Sequence, residues 1–321
     1  MKSQNEWGQL RKVIVGVADH AKVPEIDISV RTINYADRND ISDIPIGNYP
    51  QQVIDEANED LEIFCNFLLN EGVKVFRPNR NPTDYNNYCP RDVIFTHKDL
   101  TITTPMPLRC RKYAWKPLID FLGNTLIVPC KYVDNLYNYD CIGNKDILAL
   151  NEVTPAFDAA NIIRSNDDVL YLVSNSGNIL GARFLQEILR DTAKVHLLQG
   201  VYSYMHIDTT IAFLRDGLMM VNPERIKTTD VLPSPFKNWD VIWCPEPVDI
   251  GHYPGYNHAS EWVNMNIFSV NPNLVVLEEN QEPTRKELEK HGIECAMLPM
   301  RHQRTLSGGF HCVTLDLERD D

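Results

Sequence analysis

No two of the eight cysteines in this 321-residue chain stand as a Cys-x-x-Cys pair, so a zinc ribbon or a thioredoxin-like redox site is not expected. No stretch approaches the roughly 18 consecutive apolar residues of a membrane helix, so no membrane span is expected. Positive charge is in deficit: 31 Lys and Arg against 44 Asp and Glu give a net charge of −13. Such a chain offers no general electrostatic footprint for nucleic acid or anionic lipid, although a local cationic pocket is compatible with it. Residues 1–7 are polar and hold neither a signal-peptide apolar core nor an Arg/Ser-rich transit sequence. A soluble, cytoplasmic protein with reduced and mostly buried thiols is the expectation. Low-complexity tracts and linkers are lacking, and the 20 prolines and 15 glycines are spread throughout. Residues 1–321 are therefore expected to form a single domain.

What is present is ordinary globular composition, 43% apolar and 23% charged, and an internal repeat. Asp92-Val-Ile-Phe-Thr-His-Lys-Asp-Leu-Thr-Ile-Thr-Thr reads as strand, two-residue turn, strand. Asp208-Thr-Thr-Ile-Ala-Phe-Leu-Arg-Asp-Gly-Leu-Met-Met-Val repeats it around Asp216-Gly217, a hairpin signal. Further copies start at Asn264 and at Asn161, the latter entered through Asp158. Cys312-Val-Thr-Leu-Asp-Leu ends the chain without a following partner, and Lys12-Val-Ile-Val-Gly-Val begins it without a preceding one. Pairing the two termini would complete a fifth copy and close a ring. Helical periodicity at 51–71, 113–122, 179–190 and 284–291 lies between hairpins, each followed by a short apolar strand. The pattern predicts an α/β fold, a closed five-bladed α/β propeller of hairpin-helix-strand modules. Asp92, Asp158, Asp208, Asn264 and Cys312 hold equivalent places before the first strand of each copy. Rotation about one axis would converge them into a polar ring suited to a cationic ligand.

Each of these residues also has an ordinary structural reading. Cys312, after His311 and Gly308-Gly309, could be a buried strand thiol; as a nucleophile it would need nearby positive charge or N–H groups. The glycines predict close backbone approach or unusual dihedrals. His206 and Asp208, two apart, face one side of an extended segment and can present an acid/base imidazole and a carboxylate together. As a metal pair they lack a third ligand at metal spacing, so neither metal nor cofactor is expected. Asp158 could fix a histidine tautomer or simply cap a turn. Asp92, in Pro90-Arg91-Asp92, could be a loop ion-pair partner. Arg225, in Asn222-Pro-Glu-Arg225, could bind a carboxylate bidentately or remain a solvated surface charge.

Seven segments, taken in order across nearly the whole chain, resemble the amidinotransferase family: Asn5-Glu-Trp-Gly-Gln-Leu-Arg-Lys-Val-Ile-Val-Gly, Pro90-Arg-Asp92, Phe157-Asp-Ala-Ala, Met205-His-Ile-Asp208-Thr-Thr, Asn222-Pro-Glu-Arg225, Trp262-Val-Asn-Met-Asn and Gly308-Gly-Phe-His-Cys312. The resemblance implies the pentein fold, in agreement with the repeat. It implies Cys312 as nucleophile, His206 as general acid/base and Asp158 as the carboxylate that orients it. Asp92 and Asp208 would hold the donor guanidinium and Arg225 the donor carboxylate, with Met205 and Ser260 in the substrate pocket. The chain departs from glycine-specific relatives at Ala259-Ser260, where they carry two serines, and in the Tyr202-Ser203-Tyr204 approach to Met205. The departures touch the acceptor side. Implied are transfer of the amidino group of L-arginine to a primary amine, ornithine release, a covalent amidino-cysteine, ping-pong kinetics and a homodimer. The loop 245–261 is the expected lid. Hydrolysis of a guanidine, as in arginine deiminases, and a binding-only pentein are the alternatives; the cysteine, histidine and carboxylate set argues against the latter.

Overall fold

Asp216-Gly217 forms the turn its dipeptide predicts. In the computed structural model, Gly217 takes a φ of +75°, and Ile211–Arg215 folds back antiparallel on Leu218–Val221. The structure describes residues 2–78, 87–202 and 204–320. Asn166, which tolerates the left-handed region better than most side chains, turns Ile162–Ser165 onto Asp168–Leu172 at φ +57°. The hairpins Ile94–His97/Leu100–Thr103 and Phe268–Asn271/Leu274–Glu278 follow the same plan.

A parallel third strand flanks three of these hairpins: Lys194–Leu198, Asp240–Trp243 and Glu294–Leu298. The termini complete the fifth sheet. Leu10–Val15 pairs antiparallel with Thr314–Arg319 and parallel with Lys74–Phe76. The hairpin at 94–103 departs from the expected plan. Its third strand shrinks to one parallel bridge, Ile102 to Leu126. The helix expected at 113–122 is a short 3₁₀ turn running into Ile119–Leu122. Pro117, inside that stretch, supplies no backbone N–H and breaks the helical ladder.

The helices Gln51–Asn70, Ile179–Leu189 and Glu282–Lys290 lie within two residues of the periodic segments. Gly292, at φ +73°, follows the last of them in the left-handed conformation of a helix end. The first buries Val53, Ala57, Leu61, Phe64 and Leu68 on one face, the three-to-four-residue spacing of an amphipathic helix. Phe64 is fully buried and meets Phe310 edge-on at 4.9 Å and Phe268 at 6.0 Å. Burial of that ring contributes about 1.5–3 kcal/mol. It ties the helix to the turn that carries Cys312. No helix among the described residues is long and apolar enough to cross a membrane.

A short turn precedes each hairpin: Pro90–Asp92, Ala159–Asn161, Ile207–Thr209 and Glu261–Met265, with the segment before Thr314 as the fifth. The first contacts the second, the second the third and the third the fourth. Asn266 bonds the Cys312 segment, and Arg91 Nε donates to the His311 carbonyl at 2.8 Å. The ring is thereby closed, and its inner face carries the polar residues. Beneath it lies a buried ionic layer: Arg164 with Glu6 (2.8 Å) and Asp316 (2.5 Å), and Arg319 with Asp316 (2.9 Å).

Candidate active site

Cys312, 3% exposed, stands where three of these turns meet. Its backbone N–H donates to Asn266 Oδ1 at 2.8 Å, and the Asn266 amide donates to its sulfur at 3.1 Å. The thiol reaches Asp208 Oδ2 at 3.2 Å. His206 lies within side-chain hydrogen-bonding reach of the same sulfur. Its Nε2 meets Asp158 Oδ2 at 2.8 Å. Behind Asp208, His311 Nδ1 lies 3.0 Å from Oδ2, and His311 Nε2 lies 3.5 Å from Glu6. Cys312 thus sits between two carboxylate–histidine pairs.

The charges are set by these neighbours. Burial lowers the His206 imidazolium, but Asp158 and Asp92 outweigh it and hold His206 well above its usual range. Burial also lifts Asp158, with the His206 charge and hydrogen bond pulling the other way. Burial pushes Asp208 up, and the His311 hydrogen bond and charge overcome this, leaving it at about 2. The Cys312 thiol is held well above its usual range by contact with Cys89, by burial and by Asp208, with His206 pulling the other way.

Three buried carboxylate oxygens here have no hydrogen-bond partner among the described residues: Asp92 Oδ1, Asp158 Oδ1 and Asp208 Oδ1. Asp92 uses its other oxygen on Arg111. Buried polar atoms are almost always partnered, so these three oxygens have unused capacity to accept hydrogen bonds. Arg225 shows the opposite need. Its Nη1 donates to the Thr209 carbonyl (3.0 Å), Thr209 Oγ1 (2.6 Å) and Thr210 Oγ1 (2.9 Å). No carboxylate among the described residues lies in ion-pair contact with it, and burial lowers it to about 10, which leaves it charged at neutral pH.

Beside these residues lies a cavity of two lobes that share Asn34, Tyr35, Met205, His206, His258 and Ser307. One lobe, about 70 Å³, holds Asp92, Cys89 and Arg111. The other, about 420 Å³, holds Cys312, Asp208, Arg225, Ala259 and Ser260. The fold therefore places Cys312, His206, Asp92, Asp208, Arg225, Met205, Ala259 and Ser260 along this cavity, with Asp158 behind His206. Tyr202 and Tyr204 also line the wider lobe; Ser203 lies outside the described residues. The loop 245–261 borders the mouth and is tied down there. Arg304 Nε donates to Ala259 O (3.0 Å), Ser307 to His258 O (3.1 Å) and Arg38 to Asn257 O (2.8 Å).

Asn264 is the exception to the expected ring. Its amide is spent on Val248 O (3.1 Å) and Glu261 O (2.8 Å), and Gln303 takes its oxygen. The turn Glu261–Met265 directs Asn266, two residues on, to the sulfur instead. The Gly308-Gly309 expectation divides. Neither glycine has positive φ; Ser307 does, at +62°. Close approach is the reason for both. A Cβ on Gly308 would lie 2.6 Å from Cys89 Sγ, and one on Gly309 2.8 Å from Asn266 Cβ. The metal reading gains a ligand set that spacing conceals: single donor atoms of Asp92, His206 and Cys312 lie within 4.8 Å of one another. Sequence reasoning also missed Cys89, Arg111, His311 and the wall Asn34–Arg38. None has a local signal, because each acts through contacts with distant parts of the chain.

No protein-family model matches the chain. It is 40% identical to inosamine-phosphate amidinotransferase 1 of Streptomyces glaucescens, over 98% of this chain and 95% of that one. It is 31% identical to the L-arginine:L-lysine amidinotransferase of Pseudomonas savastanoi pv. phaseolicola, over 99% and 94%. The solved inosamine-phosphate amidinotransferase of Streptomyces griseus superposes with a TM-score of 0.92 at 38% identity, covering 100% of this chain and 97% of that one. The chain belongs to the amidinotransferase family.

Proposed function

We propose that the enzyme takes the amidino group of L-arginine onto Cys312 and passes it to a primary amine. The observation that carries this reading is the set of unpartnered carboxylate oxygens around Cys312, together with a charged arginine in the wider lobe that makes no ion pair among the described residues. A guanidinium on Asp92 and Asp208 and a carboxylate on Arg225 satisfy both needs with one molecule.

The donor guanidinium adds positive charge beside Cys312 and His206, and the thiol gives its proton to solvent. The thiolate bonds to the guanidinium carbon. The bond from that carbon to the side-chain nitrogen breaks as His206 gives that nitrogen its proton, and L-ornithine leaves. With Nε2 held by Asp158, Nδ1 is the nitrogen that exchanges this proton. An amidino-Cys312 adduct remains. The acceptor amine attacks its carbon, returns a proton to the now neutral His206, and the carbon–sulfur bond breaks. One imidazole serves as acid and then as base, and the kinetics are ping-pong. Asn266 steadies the sulfur in both directions.

Relatedness and the outer cavity support a reading of the acceptor. The more similar relatives are inosamine-phosphate enzymes, whereas the lysine-directed one is less similar. The wider lobe is walled by Asn34, Asp37, Tyr202, Tyr204, Ser260 and Arg38, hydrogen-bonding groups suited to a polyol. A phosphorylated amino-polyol is the acceptor this reading favours. Incubation with L-arginine and a panel of amines (aminocyclitol phosphates, free aminocyclitols, lysine, glycine), followed by product mass, tests it. A guanidino product and ornithine are expected. Citrulline or urea as the main product would replace transfer by hydrolysis.

A further inference from the structure

Cys89 and Cys312 are the cysteines that line the two-lobed cavity. The transfer chemistry uses Cys312 and leaves Cys89 without a role. Each is 3% exposed, and they are brought together from positions 223 residues apart. Their closeness has three structural causes. The Cys89 sulfur lies within side-chain hydrogen-bonding reach of Cys312. Gly308 lies against both: a Cβ there would be 2.6 Å from Cys89 Sγ and 3.1 Å from Cys312 Cβ. The backbones are clamped, since Arg91, two residues after Cys89, donates through Nε to the carbonyl of His311 at 2.8 Å, and Arg111 Nη2 holds the Cys89 carbonyl at 2.8 Å. A disulfide needs Cβ atoms about 3.5–4.5 Å apart with little freedom for adjustment. Two clamped segments sharing a glycine that leaves room for both side chains favour that approach.

We propose that Cys89 and Cys312 form an oxidative modification site, at which a peroxide joins them in a disulfide that a dithiol reductant reopens. The Cys312 thiol first gives up its proton, a loss that the neighbouring His206 favours; the thiolate takes one oxygen from peroxide, giving a sulfenic acid and, with that proton returned to the hydroxide released, one water. The Cys89 sulfur attacks that sulfur, its proton leaves with the hydroxyl as a second water, and the S–S bond forms. Two thiols are oxidised by two electrons and the peroxide is reduced to water. Cys312 is then unavailable as a nucleophile, and it is also shielded from the irreversible sulfinic state. Cys89 is thus a resolving thiol beside the transfer chemistry. The pairing depends on the proximity of the sulfurs and is independent of which amine accepts the amidino group.

The test is peroxide titration of the reduced full-length protein, alkylation of the remaining thiols, and non-reducing peptide mapping by mass. The expected result is a Cys89–Cys312 linked peptide lighter by two hydrogens than the separate peptides. It should accumulate in step with loss of amidino transfer, and dithiothreitol should reverse both. In Cys89→Ser, and in Cys89→Ala as a second variant, the same peroxide should carry Cys312 to the sulfinic acid. Activity, scored against each variant's own starting value, should then not return with dithiothreitol. Sulfinic Cys312 beside reduced, alkylated Cys89 in the wild-type protein would overturn the proposal. So would full recovery by dithiothreitol in both variants. The wild-type map decides the matter even if neither variant folds.

Discussion

Replacing Arg225 by Ala separates recognition of the donor's two ends. The wild-type guanidinium anchors through Nη1 to Thr209 and Thr210 at 2.6–3.0 Å and has no carboxylate partner among the described residues. Its pKa of about 10 keeps it charged at pH 7. A charge-assisted hydrogen bond from it to the arginine carboxylate contributes about 1.5–3 kcal/mol. At about 1.4 kcal/mol per decade, its loss slows formation of amidino-Cys312 from dilute arginine by roughly 10- to 150-fold. The substitution also strips partners from Thr209 and Thr210, and that damage falls on every donor. The informative quantity is therefore the ratio between L-arginine and agmatine, the same guanidine without the carboxylate. Quenched-flow measurement of adduct formation with each donor gives it. The arginine advantage should collapse by about the factor above while agmatine changes little. An equal fall for both donors would refute the carboxylate role and leave Arg225 a structural residue.

Other outcomes follow from the same geometry. Cys312→Ala and Cys312→Ser should abolish turnover with the fold intact, while substitutions at Cys65 or Cys295 leave the chemistry in place; circular dichroism and product assay check both. His206→Asn and Asp158→Asn should each slow both half-reactions, and because they act on one proton the double variant should be little worse than the poorer single one; multiplicative losses would break the pair apart. Ala259→Ser should change relative rates among acceptor amines, read from steady-state competition, with little change in adduct formation; the reverse pattern would mean the donor and acceptor ends were exchanged. Asp208, held at about 2 against an ordinary 3.8, contributes about 2 kcal/mol of stability above pH 4. That contribution is lost as pH falls from 4 towards 2, so the stability gap between wild type and Asp208→Asn, measured by urea unfolding, should narrow on acidification; a constant gap would contradict it.

Much of the ring was legible because hairpins are local. Asp216-Gly217 announces a turn between alternating strands, and the runs at 12–17 and 312–317, neither with a hairpin partner beside it in sequence, pair with each other. The helix Ile28–Ile33 was not legible. Six residues give too little periodicity, yet this helix positions Asn34, Tyr35 and Arg38 in the cavity wall. Asn264 and Asn266 differ by two residues, a distinction set by the turn Glu261–Met265 and the demands of Gln303 rather than by residue type. Cys312 and Asp208 could be named from their motifs. Their partners Cys89 and His311 acquire meaning only when segments far apart in sequence are packed.

The most direct measurement is the intact mass of the protein mixed with L-arginine alone. One amidino group should appear on Cys312, located by peptide mapping. It should be absent from Cys312→Ala and should disappear when a competent amine is added, with one guanidino product formed per adduct lost. An unmodified mass under conditions where transfer to an amine proceeds, or an adduct on any residue other than Cys312, would contradict the covalent account.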